Sequence, residues 1–222
     1  MTATPLVAGS SPTTASVSMA KRVVRCVIGL VACGVGVTML VLGDVGLAPW
    51  DVLHQGITER TGIGIGTVSI LVGFGLLLVW IPLQVRLGAG TVLNAIIIGG
   101  TVDVLLPHLP EPDHPVVRVA LMGLGVLAFG VGTGLYIGAR LGPGPRDGLM
   151  TGIAARGHSL RLVRTAIEVA VLALGALLGG SIGIGTAVFA LAIGPLAQFF
   201  LARFDTRPGP HTPAASDQRV PA

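Results

Sequence analysis

Residues 46–51 read Gly46-Leu47-Ala48-Pro49-Trp50-Asp51, and 96 positions later residues 142–147 read Gly142-Pro143-Gly144-Pro145-Arg146-Asp147. The chemistry of both stretches is that of a helix start. Proline fits the first helical position, an aspartate two residues on faces the positive end of the helix dipole, and the preceding glycine allows a sharp turn. The correspondence continues at the same offset, with Gly34-Val35-Gly36 falling on Gly130-Val131-Gly132, Leu53 on Leu149 and Gly56-Ile57 on Gly152-Ile153. Farther on, an offset of 95 places Gly88, Gly90 and Thr91 on Gly183, Gly185 and Thr186, and Gly99 on Gly194. One pattern is used twice.

Composition fixes the medium in which that pattern folds. The chain has 222 residues, of which 52% are hydrophobic and 11% charged, and its mean hydropathy is +0.86. A soluble domain carries about a quarter charged residues, so this is an integral membrane protein. At about 20 residues per span the length accommodates about six helices. The apolar runs fall at 26–43, 68–85, 91–106 and 119–139. From 169 to 202 there are 34 residues without a charge, too many for one span, and the glycines at 179, 180, 183 and 185 divide them into helices near 162–178 and 186–203. The sequence Leu30-Val31-Ala32-Cys33 resembles a lipoprotein cleavage box, but the apolar run continues ten residues past the cysteine, which favours a span. Cys26 and Cys33 lie too far apart along one helix for a disulfide and read as buried apolar side chains.

The expected fold class is therefore an all-α membrane protein with about six transmembrane helices in two inverted three-helix repeats. Each repeat has a short additional helix after its Gly-x-x-Pro-x-Asp loop. The membrane domain spans 21–203, with repeat one about 26–107 and repeat two about 119–203, and the polar segments 1–20 and 204–222 read as disordered tails. Inversion follows from arithmetic, because three spans per copy return the second copy to the membrane upside down. Charge says the same independently. With the N-terminus inside, twelve of the fourteen basic residues fall on the inner side and only Arg60 and Arg118 outside. The expected location is a bacterial cytoplasmic membrane with both termini cytoplasmic; thirteen of the fourteen basic residues are Arg, a bias typical of a high-GC genome.

Candidate pathway or structural polar residues are Asp51, Asp147, Glu168, Arg164 and Asn94, and the motif loops contribute Gly46, Pro49, Trp50, Gly142, Pro145 and Arg146. Glu168 is the acidic residue well inside an apolar helix, where a charge in hydrocarbon costs several kcal/mol. Arg164 stands one turn before it and can neutralise it. Asn94 is either a pathway group or interhelical hydrogen-bond glue. Asp103 reads as a solvated interface residue near the outer end of its span, and His54 as a surface histidine of the Pro49 helix. The two short helices either lie on the membrane surfaces or dip into the bundle as half-helices. Glycines 130, 134 and 138, four apart, form a close-packing face for an internal contact or a dimer.

Other chemistry is not expected. The five histidines lie in different loops or tails without metal-ligand spacing, the stretch Gly62-Ile63-Gly64-Ile65-Gly66-Thr67 lacks the lysine of a phosphate-binding loop, and no nucleophile, histidine and acid are spaced for catalysis. The basic residues punctuate apolar runs and form no nucleic-acid patch. No cofactor, metal or enzymatic activity is expected, and the partners are the lipid bilayer and a second copy or another membrane protein.

The stretches 48–56, 142–152, Arg164-Thr165-Ala166-Ile167-Glu168 and Gly183-Ile184-Gly185-Thr186 closely resemble the YczE/YitT-type family of bacterial multi-pass membrane proteins. The resemblance covers about 34–200 and is greatest to the YczE branch, since little follows the last span whereas some YitT-type members append a soluble domain. Ala48 departs from the Gly or Ser often found there. The resemblance implies the fold and the motif but no substrate. Inverted repeats recur in secondary transporters, so the expected function is a small secondary permease moving an unknown solute by alternating access. The alternative is a non-transporting membrane component that stabilises or regulates a partner protein.

Overall fold

The computed structural model describes residues 18–205. Their regular structure is helical: α1 (Met19–Gly43), α2 (Pro49–Thr61), α3 (Ile65–Leu83), α4 (Ala89–Leu105), α5 (Pro115–Gly138), α6 (Pro145–Ala154), α7 (Leu160–Leu178) and α8 (Ile184–Phe204). The order long, short, long, long thus occurs twice. The end boundaries differ slightly from expectation, because Ser18 caps α1 by accepting from the Lys21 N–H at 3.4 Å and Phe204 still belongs to α8. Of the tails expected at 1–20 and 204–222, residues 19, 20 and 204 are helical, and 1–17 and 206–222 lie outside the described residues. α1 runs unbroken through Cys33, which is fully buried.

Five helices, α1, α3, α4 (with the 3-10 turn Leu106–His108), α5 and α8, are long and apolar enough to cross a membrane. α7 has the same 19 residues as α3 but carries Arg161, Arg164 and Glu168 in its first half. The outward faces are apolar: Leu177, Ile184 and Leu191 are among the most exposed large side chains. In water such a surface would aggregate, whereas lipid tails solvate it at no cost.

α1 and α5 form the central pair, antiparallel and in close contact. A Cβ on Gly29 would meet the Gly132 carbonyl at 2.7 Å, one on Gly36 the Gly125 carbonyl at 2.7 Å, and one on Gly43 the Arg118 carbonyl at 2.9 Å. Small residues let two backbones approach where lipid supplies no hydrophobic force to hold them. α4 lies against α1 and α8 against α5, while α2 packs on α7 and α6 on α3. The Gly130, Gly134 and Gly138 face is used internally, seating Leu196, Phe200 and Phe204 of α8.

The loops ahead of α2 and α6 cross over to the opposite half. The Gly90 N–H donates to the Leu141 carbonyl at 2.8 Å, and the Gly185 N–H to the Val45 carbonyl at 3.0 Å. Gly46 and Gly142 turn here with φ +126° and +123°, and their α-carbons press on Gly183 and Gly88. Only glycine adopts that backbone without strain and leaves room for the neighbouring chain. Each short helix is thereby fixed at its start by the other half's last helix.

α2 and α6 lie inside the bundle. Trp50, Asp51, Val52, Leu53 and His54 are all buried, so the first turns of α2 are covered on every side, unlike a helix resting on a surface. Trp80 of α3 anchors α6 by donating its indole N–H to the Pro145 carbonyl at 3.1 Å, and its ring fills the space over Gly148. At the matching contact of the other half the sizes are reversed: Gly175 of α7 lies against Val52 and Leu53 of α2.

Candidate functional site

A partly open cavity of about 330 Å³ lies where the starts of α2 and α6 meet, and all eight helices contribute to its wall. Its volume is at the lower end for ligand sites, of the order suited to a small metabolite. The wall is divided by chemistry. Pro49, Trp50 and His54 of α2, Asn94 of α4, Tyr136 of α5, Arg146 and Asp147 of α6, and Arg164 and Glu168 of α7 give a polar side, whereas Val37, Ile98, Phe129, Phe189 and Ile193 give an apolar one. Ser69 and Gln198 add two neutral polar groups.

Two charged clusters flank the cavity. In the first, the Arg146 Nη2 lies 3.4 Å from Oδ1 of Asp51, and the guanidinium sits over the Trp50 ring at 5.2 Å. His54 Nδ1 is 3.3 Å from the same carboxylate oxygen. In the second, Asp147 accepts from the Tyr136 hydroxyl at 3.0 Å and from Arg164 Nη2 at 3.0 Å, while Arg164 Nε is 3.7 Å from Glu168. The helix starts explain the placement, since an aspartate in the first turn of α2 and α6 is favoured by the dipole and is aimed at whatever crosses that end.

The two aspartates differ despite equivalent positions: Asp51 is 2% exposed and Asp147 37%. Neither of the short helices has a side-chain cap at its first position, so the aspartates act through their charged partners. His54 is not at the surface as its sequence context suggests; it is 1% exposed, because α7 and α3 cover α2. Buried polar groups ordinarily find partners, yet Trp50 Nε1, Asp51 Oδ2 and His54 Nε2 have none among the described residues.

The remaining sequence candidates separate. Glu168 and Arg164 face the cavity rather than lipid, and Arg164 bridges to Asp147, a partner that helical spacing cannot reveal. Asn94 lies at the cavity wall with its amide beside Gly144. Asp103, half-buried near the end of α4, also caps α3: it accepts from the Gly66 N–H at 2.8 Å and the Thr67 hydroxyl at 2.6 Å. Among the described residues no group of three His, Cys, Asp or Glu side chains is gathered to hold a metal ion. Tyr136, Trp80 and Gln198 were not distinguished by sequence; only the scarcity of aromatic residues, 4% of the chain, marks the first two.

A family model described as a family of unknown function (DUF6198) matches residues 20–202, from the first turn of α1 into the last turn of α8. The chain belongs to this family. Every residue of the cavity wall lies within the matched segment. An "Uncharacterized protein" of Haemophilus influenzae is 45% identical over 169 residues, covering 76% of this chain and 78% of its own. The "Uncharacterized membrane protein YczE" of Bacillus subtilis is 33% identical over 177 residues, 78% of this chain and 82% of that one. The "Uncharacterized protein YyaS" of Bacillus subtilis is 25% identical over 184 residues, covering 78% and 89%. The resemblance to the YczE type is therefore shown along most of the chain, and the protein is a multi-pass helical membrane protein of that family. No solved structure matches.

Proposed function

We propose that the protein is a small secondary permease of the cytoplasmic membrane, moving a small solute by alternating access between two inverted three-helix repeats. In this reading α7 is the sixth span, its charges directed into the cavity, and α2 and α6 are the half-helices that bring polar groups to the midplane. The single observation that carries the reading is the cavity itself, lined by all eight helices, with Trp50 and His54 at the start of α2 and the charged Arg146 and Asp147 at the start of α6. A purely structural lock has no use for a cavity whose wall carries the buried polar side chains of Trp50 and His54.

Further support comes from paired contacts. Exchanging halves turns the Gly90–Leu141 hydrogen bond into the Gly185–Val45 one, and the Gly29–Gly132 contact into the Gly125–Gly36 one, as a two-fold axis in the membrane plane requires. The positive-inside count orients the bundle with both tails and the Arg146 loop in the cytoplasm.

The reading is tested by counterflow. Proteoliposomes of the purified protein, preloaded with a pool of unlabelled polar metabolites, should accumulate solutes from a labelled pool faster than protein-free vesicles. Equal uptake in the two, with folded protein confirmed in the membrane, would overturn the permease.

A further inference from the structure

We infer that the cavity binds a small organic cation, an amine or guanidine carrying N–H donors, with Glu168 and Asp147 as its carboxylate anchor. The inference rests on the permease reading for its physiological purpose but on the cavity alone for its chemistry.

The first argument is charge balance. Arg146 and Arg164 stand against Asp51, Asp147 and Glu168, so with a neutral His54 the site holds one negative charge in excess. The excess is local. Arg146 is engaged by Asp51, whereas Arg164 is shared between Asp147 at 3.0 Å and Glu168 at 3.7 Å. Among the described residues Glu168 makes no hydrogen bond, and 3.7 Å from a guanidinium nitrogen is too long for one. A carboxylate so placed, on an apolar helix and turned to a cavity, calls for a cation.

The second argument is the pair of buried polar atoms left without partners beside the cavity. Asp51 can only accept, so the proton between Asp51 and His54 sits on Nδ1 and the neutral ring presents Nε2 as an acceptor. An acceptor more than nine-tenths buried at a cavity wall fits a ligand that donates. Trp50, also more than nine-tenths buried, offers its unpartnered indole N–H to any acceptor the same ligand carries.

The third argument is that this wall already holds a cation. The Arg146 guanidinium rests on the Trp50 face beside a carboxylate, which is the arrangement by which aromatic and acidic groups together recognise organic cations. Tyr136, the chain's one tyrosine, and the Phe129–Phe189 edge-to-face pair at 5.3 Å extend the aromatic wall.

The test uses the purified full chain in detergent and three probes of one shape: butylammonium, butyrate and butanol. Butylammonium should raise the melting temperature and bind measurably by calorimetry, while butyrate and butanol should not. Glu168→Gln should weaken butylammonium binding at least tenfold, and Glu168→Asp should restore it to within about threefold of the parent. Arg164→Gln should tighten binding, because it removes the internal cation that competes for both carboxylates; a merely structural pair would not give opposite signs. Equal or better binding of butyrate or butanol, absence of a butylammonium response at 10 mM (a concentration about tenfold above a 1 mM Kd), or an unchanged response in Glu168→Gln would overturn the inference. Butylammonium binding without counterflow would remove the permease and leave the cation site standing, and counterflow of anions or neutral solutes alone would do the reverse.

Discussion

Arg146 stands 96 residues after Trp50, at the equivalent position of the second short helix, and its guanidinium lies over the Trp50 ring itself, 5.2 Å from the centroid. In the proposed two-repeat arrangement, residues that correspond between the halves and also touch one another lie beside the axis that joins the halves. The scaffold is repeated there but the chemistry is not: tryptophan faces arginine, and His54 faces Met150 across the same 96-residue offset. A cavity on that line can present one asymmetric site instead of two equal ones.

The Arg146–Asp51 pair should couple in a double-mutant cycle. Arg146→Gln leaves a 2% exposed carboxylate with only His54 beside it and should cost about 2 kcal/mol, less than the about 3–5 kcal/mol of a fully buried pair, because Arg146 is 29% exposed. Adding Asp51→Asn should recover more than half of that loss. Unfolding in detergent measures all four corners of the cycle, and additive losses would show that the two residues act separately.

The Trp80–Gly148 contact predicts a size dependence. Gly148→Ala places a methyl group into the Trp80 ring and should destabilise by about 1–3 kcal/mol. Trp80→Leu gives up the indole hydrogen bond to Pro145 but makes room, so the double variant should be less impaired than the two single losses combined. Melting temperatures of the three variants decide it.

These two contacts mark the boundary between what is legible in the sequence and what is not. The starts of α2 and α6 can be read from Pro49, Pro145 and the glycines before them, since proline geometry, dipole and turn conformation are local. The spans can be read from uncharged runs because the bilayer demands them. The partners of those elements cannot. His54 reads as a surface residue because nothing within α2 announces that α7 covers it. The capping role of Asp103 is hidden because the groups that donate to it, the Gly66 N–H and the Thr67 hydroxyl, belong to another helix. Glu168 is visible as an intramembrane acid and Arg164 as its neighbour one turn away, but the third member, Asp147, joins them only through folding.

Orientation is checked by reporter fusions. Fusions after Arg156 and at both tails should report the cytoplasm, and fusions after Arg60 and Glu111 the outside, as the basic residues dictate. An outside signal after Arg156 would remove the inversion of the second half along with the orientation.

The most direct measurement asks whether the cavity opens to both sides. In a Cys26→Ala, Cys33→Ala background, Ser69→Cys on α3 and Gln198→Cys on α8 place a single thiol on the cavity wall from either half. A membrane-impermeant thiol reagent is then applied to intact cells and, separately, to inside-out vesicles. Alternating access predicts that each thiol is modified from both sides, more slowly when butylammonium is present. Modification of both thiols from one side only, at equal rates with and without the cation, would contradict it.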